Sequence, residues 1–277
     1  MSKFLDPEDY LEPDCPFCTD MWEGEPVVKS IPVARVIEKA DEYFSRNDYD
    51  GAERHFLYWI EEAKLGNDLR GRFALCNELV GLYRKVGKKE LALERAKEVL
   101  ALVDKMGIND EIAAGTAFVN VGTAYKAFGL SSLALPYFAK AQAVYEKLLD
   151  SSDGRLGGLY NNMALALVDE KRYDEARNYY EKALDTMKNV QFGELERAIT
   201  LLNMANLAET QYGLENAADE IANLLDEAEK LLDAPAVPRN GYYAFVCEKC
   251  APTFGYYGYF AAEEELKKRA RNIYERD

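Results

Sequence analysis

Five short segments repeat one pattern at a near-constant interval, and nothing else in the sequence restricts the fold so tightly. They read FSRNDYDGAERHF, YRKVGKKELALERA, YKAFGLSSLALPYF, LVDEKRYDEARNYY and ETQYGLENAADEI. Aligning the small residue after each turn gives Ala52, Ala92, Ala134, Ala176 and Ala217, spaced by 40, 42, 42 and 41 positions. Four positions later come Phe56, Ala96, Phe138, Tyr180 and Ile221, and nine positions earlier Tyr43, Tyr83, Tyr125, Leu167 and Ala208. Twelve positions earlier stand Ala40, Val80, Gly122, Ala164 and Ala205. Apolar residues at these offsets, on either side of a turn rich in Gly, Asp or Lys, spell helix, tight turn, helix. The small residues let paired helices approach, and the large ones plug the groove between them. Gly87 and Gly129 suit the left-handed residue that ends a helix. One such hairpin cannot bury its apolar face alone, so the units must stack.

Over roughly residues 32–231 this pattern resembles the tetratricopeptide repeat. That family's usual period is about 34 residues. The longer period here, with the stretch LYNNMALALVDEKRYDEARNYYEKAL, is similar to the repeats of kinesin light chains and bacterial peptide-sensing regulators. Leu167 in place of the usual Tyr, and the absence of the Pro that often closes each repeat, depart from the family's pattern. A sixth hairpin is predicted at YGYFAAEEELKKRA, where Ala262 follows Ala217 by 45 positions across the linker DAPAVPRNG. Lys267, Lys268, Arg269 and Arg271 complement the negative end of its last helix. The resemblance implies an all-α fold, a right-handed superhelical solenoid of about six antiparallel helix pairs. Residues 1–31 form an acidic leader expected to dock on the solenoid, 32–231 five hairpins, and 232–277 a linker and capping pair.

The 277 residues are 48% hydrophobic, enough for a sizeable core. No apolar run is long enough to span a membrane, and the opening MSKFLDPEDYLEPD has no signal-type stretch, so a cytoplasmic protein is predicted. The net charge of −15 repels phosphate backbones and anionic lipid, which argues against nucleic acid and membrane as partners. With a single histidine, His55, no nucleophile–base triad can be assembled, and no phosphate-binding glycine signature occurs. The expectation is a protein that is not an enzyme.

A solenoid offers a groove instead. Fourteen positions before the aligned alanines lie Glu38, Glu78, Asn120, Asn162 and Asn203, and one position earlier Ile37, Asn77, Val119, Asn161 and Leu202. Three consecutive asparagines at one structural position predict a ladder whose amides each offer a donor and an acceptor. In the families that the chain resembles, asparagines at the equivalent positions contact the backbone of a bound peptide. The resemblance therefore implies a groove of Asn77, Asn120, Asn161, Asn162 and Asn203; the other reading is that these amides bond neighbouring helices. Arg84 and Lys126 fall on the same side, placed to hold a carboxylate such as a peptide C-terminus.

Two Cys-x-x-Cys pairs, Cys15/Cys18 and Cys247/Cys250, stand at opposite ends of the chain, whereas Cys76 reads as a small core residue. Four thiolates would make a tetrahedral zinc site, either within one chain or across a head-to-tail homodimer. Separate structural thiols and a redox role for CPFC are the alternatives. Taken together, the sequence predicts a peptide- or protein-binding scaffold. A peptide-responsive bacterial signalling regulator and a metal-dependent enzyme built on the thiols are the alternatives.

Overall fold

Five of the six hairpin turns are closed in one way by the backbone. Where the first helix of a pair ends, one residue adopts positive φ: Asn47 (55°), Gly87 (74°), Gly129 (73°), Lys171 (59°) and Gly258 (86°). The next N–H then reaches back to a carbonyl five residues earlier, from Asp48 to Tyr43, Lys88 to Tyr83, Leu130 to Tyr125, Arg172 to Leu167 and Tyr259 to Phe254, at 2.9–3.0 Å. This is the helix-ending bond that a left-handed residue makes available, and it serves carbonyls that the helix leaves unpaired.

The computed structural model describes residues 28–276. Twelve α-helices occur among them: α1 (Val33–Ser45), α2 (Tyr49–Leu65), α3 (Leu69–Lys85), α4 (Lys89–Met106), α5 (Ile112–Ala127) and α6 (Ser131–Leu148), followed by α7 (Gly154–Asp169), α8 (Tyr173–Met187), α9 (Glu194–Tyr212), α10 (Ala218–Leu232), α11 (Gly241–Tyr256) and α12 (Phe260–Tyr274). No strand occurs among the described residues, and none of these helices is long and apolar enough to cross a membrane. The chain divides into two compact units, residues up to Leu79 and residues from Val80, with the boundary inside α3.

In the first unit α1 packs on α2. The α2–α3 turn is held by Asp68, a buried carboxylate that accepts the N–H of Gly71 at 2.8 Å and of Ile31 at 2.9 Å. His55 Nε2 lies 3.1 Å from the Val36 carbonyl, so the lone histidine ties α2 to α1.

In the second unit the pairs α5–α6, α7–α8, α9–α10 and α11–α12 make the most extensive contacts, and the first helices also meet in series, α5 with α7, α7 with α9, and α9 with α11. Ala92, Ala134 and Ala176 are completely buried, as are Phe138 and Tyr180 one turn on. The small residues make the approach possible. A Cβ added at Gly122 would sit 2.6 Å from the Phe138 ring. A second row, missed in the sequence, repeats the device at the other end of the hairpin. There Gly115 faces Tyr145 and Gly157 faces Met187, with an added Cβ at 2.6 and 2.7 Å. Gly115 and Gly157 each stand nineteen positions before an aligned alanine, and Tyr145 and Met187 eleven after.

Two registers differ from the expectation. The fifth turn uses Gly213 with φ 80° and ψ 155°, outside the left-handed helical region, and α10 begins one residue after Ala217. In the sixth pair the turn bond from Tyr259 to Phe254 puts Glu263, not Ala262, at the aligned position. Small residues then fall at Ala244 and Ala251, both completely buried, where the other repeats have theirs.

Candidate functional site

In the second unit the first helices bury one side against their partners and turn the other away. On that outward side lie Val119, Asn120 and Thr123 of α5, Gly158, Asn161, Asn162 and Leu165 of α7, and Ile199 and Asn203 of α9, all half-buried. Two of the amides predicted to form a ladder are committed within the protein. Asn203 Nδ2 donates to Asn161 Oδ1 at 3.2 Å, bridging α9 to α7, and Asn162 Nδ2 donates to the Gly158 carbonyl of its own helix at 3.0 Å. The row is thus part inter-repeat bond and part open amide surface. Asn77 belongs to the first unit, half-buried, with Oδ1 enclosed and unpaired.

The two cations predicted to hold a carboxylate have different surroundings. Arg84 is exposed. Lys126 Nζ lies 4.0 Å from Asp169 Oδ2, which also accepts the Ser131 hydroxyl at 2.6 Å. Lys126 therefore already has an anionic neighbour in the following repeat.

Toward the C-terminus the same side becomes aromatic and acidic. Glu209 of α9 accepts the hydroxyls of Tyr256 and Tyr257, each at 2.8 Å, and Tyr257 also reaches Asn206 at 3.0 Å. Tyr242 donates to Glu196 and stacks on Phe245 with ring centroids 6.3 Å apart. Burial, reinforced by these carboxylates, pushes the phenols of Tyr242 and Tyr257 above the ordinary tyrosine range.

Cys247 and Cys250 lie on the core side of α11, almost wholly buried. Burial pushes both thiols up, that of Cys250 to about 12, so the thiolate a metal needs is disfavoured there. In the register set by the turn, Cys247 occupies the position of Val36, Cys76, Phe118, Tyr160 and Leu201, every one of them buried. Among the described residues no three His, Cys, Asp or Glu side chains gather as a metal site. Cys15, Cys18 and residues 1–27 of the leader 1–31 that is expected to dock lie outside the described residues.

These groups set an alkaline limit on stability. A thiol or phenol whose pKa is raised by folding contributes nothing unfavourable below its unfolded value, about 8.5 for Cys and 10 for Tyr. Above it the unfolded state ionises first. Unfolding free energy should therefore be flat from neutrality to roughly pH 8.5 and then fall, by about 1.4 kcal/mol per pH unit for each of the two buried thiols and by less for the partly exposed phenols. Urea unfolding as a function of pH checks this, and a level profile to pH 10 would contradict it.

Comparison with known proteins places the architecture. Residues 155–233 match the family model of the tetratricopeptide repeat. This is a tetratricopeptide-repeat fold. Among solved structures, BtubC (BKLC) from P. vanneervenii superposes with a TM-score of 0.64 at 19% identity, over 72% of this chain and 79% of that one. RapI in its apo form gives 0.63 at 14%, over 94% and 89%. A putative kinesin light chain from Podospora anserina with nearly identical TPR-like repeats gives 0.52 at 18%, over 73% and 94%. No curated protein sequence matches the chain. A fold like that of tetratricopeptide-repeat proteins thus supplies the frame, and the side chains on the first helices distinguish this chain.

Proposed function

We propose that the protein is a non-enzymatic scaffold that holds an extended peptide or protein segment along the outward side of α5, α7, α9 and α11. The observation that carries this reading is the row of half-buried amides Asn120, Asn162 and Asn203 at one position of three successive first helices. Amides in series suit a peptide backbone, whose donors and acceptors recur regardless of its side chains. The net charge of −15 favours a neutral or basic segment.

Random twelve-residue peptides displayed on phage, selected on the immobilised full chain, supply the probe. Affinity for the selected peptides should fall about 2- to 13-fold in Asn162→Ala, the equivalent of one hydrogen bond. The thermal midpoint should barely move, because the bond to Gly158 that is also lost stays within one helix. Selected peptides that ignore Asn120, Asn162 and Asn203 alike would overturn the reading.

A further inference from the structure

A cavity of about 430 Å³ opens where the amino-terminal ends of α7, α9 and α11 come together. Its floor includes Gly154 and Gly158, and its walls include Val190, Phe192 and Tyr242. Three features set it apart from an incidental gap in packing.

The first is Gly158. It lies inside α7, where glycine disfavours the helix relative to alanine. Gly157 beside it is explained by the close approach of Met187, but a Cβ at Gly158 would meet nothing within 4 Å. No contact within the protein requires glycine at 158; what its missing side chain leaves is an open cavity floor. The second is Phe192, which holds φ at 61° and remains 41% exposed. A bulky residue in the left-handed region is a strained arrangement, and strain of this kind gathers at binding sites. Together with Tyr242, 48% exposed, it gives the cavity aromatic walls that the core does not use. The third is charge. Among the described residues that line the cavity, Glu196 alone is charged. Glu194, between the lining residues Gly193 and Leu195, keeps one carboxylate oxygen enclosed without a hydrogen-bond partner.

We propose that this cavity is the anchor subsite of the groove, taking an aromatic or large aliphatic side chain of the bound segment whose neighbour is a lysine or arginine. The apolar side chain enters over Gly158 between Phe192 and Tyr242, and the cation meets Glu196 at the mouth. The volume falls in the range of ligand pockets and exceeds what one ring requires. This assignment rests on the peptide-binding reading and names the partner's chemistry.

The test uses three blocked dipeptides, Ac-Trp-Lys-NH2, Ac-Trp-Glu-NH2 and Ac-Ala-Lys-NH2, titrated into the ¹⁵N-labelled full chain and followed by NMR. Ac-Trp-Lys-NH2 should shift the amides of Gly158, Phe192, Glu196 and Tyr242, Ac-Trp-Glu-NH2 should bind about 2- to 5-fold more weakly, and Ac-Ala-Lys-NH2 should leave them unmoved. Gly158→Leu fills the floor and should cut binding at least about tenfold. Because leucine favours the helix and meets open space, its thermal midpoint should not fall. Glu196→Gln should erase the preference for Lys over Glu. Shifts elsewhere, no shifts, or undiminished binding by Gly158→Leu would overturn the assignment. If that happens while selected twelve-residue peptides still depend on Asn162, the groove reading survives without this anchor. If the dipeptide binds here and no peptide depends on the asparagines, the anchor stands and the amide reading fails.

Discussion

Phe138→Ala should lower the unfolding free energy by about 3–5 kcal/mol, the range for removing a fully buried aromatic ring. Phe138 has no exposed surface, sits between α5 and α6, and lies one turn after the aligned Ala134. Its removal takes away apolar burial and leaves a hole that its neighbours cannot readily fill. Gly122 opposite has no side chain to advance, and the flanking Ala134 and Ala141 are short and already completely buried. Equilibrium urea unfolding, followed by circular dichroism, measures the loss. A repeat array can uncouple when its middle is weakened, so the single transition should broaden or divide in the variant. A cost below about 1 kcal/mol would mean that the hairpin relaxes around the missing ring, contrary to tight packing at this position.

Gly122→Ala should change sign with its background. In the wild type the new methyl would stand 2.6 Å from one Phe138 ring carbon and 2.8 Å from the next. The ring is enclosed and cannot yield, so the overpacking cost of about 1–3 kcal/mol outweighs the roughly 1 kcal/mol gained by replacing a helical glycine. In Phe138→Ala the obstruction is gone and only the helix gain remains, so the same substitution should stabilise. The resulting double-mutant cycle should show a coupling of about 1–3 kcal/mol. Additive effects would show that Gly122 is there for some reason other than the ring.

The contrast between these residues and the cysteines separates what a sequence can convey from what it cannot. Small and large residues at fixed offsets carry their meaning in their size, so Ala134, Phe138 and Gly122 are legible from spacing alone. The glycines at 115 and 157 obey the same logic with Tyr145 and Met187. They escape a local pattern because the two members of each pair lie thirty residues apart in sequence. Cysteine is ambiguous by its chemistry, a metal ligand when exposed and ionised but a small apolar filler when buried. Cys76 and Cys247 share one place in the repeat. Spacing assigns the first to the core and the second to a metal, because a neighbouring Cys250 makes a motif of it. Only the turn bond at Tyr259, which shifts the last register by one residue, reveals the equivalence.

The asparagines are legible as a row, but not in what they already bond. Whether an amide is spent inside the protein depends on rotamer and on the distance to the next helix, neither of which a spacing rule contains. Asn203 reaching Asn161 and Asn162 turning to Gly158 are outcomes of that geometry. The cavity over Gly158 has one sequence signal, the doubled glycine of GRLGGLY, of which packing explains only the first.

The glycine-to-ring contacts and the turn bonds all lie within single hairpins, never between one hairpin and the next. Under tension applied to its ends, such a chain has no single bolt whose failure releases the whole. It should lengthen hairpin by hairpin, each release freeing on the order of forty residues and roughly 14 nm of contour. A segment held across several first helices would then act as a splint, adding to the contacts by which neighbouring hairpins already hold one another.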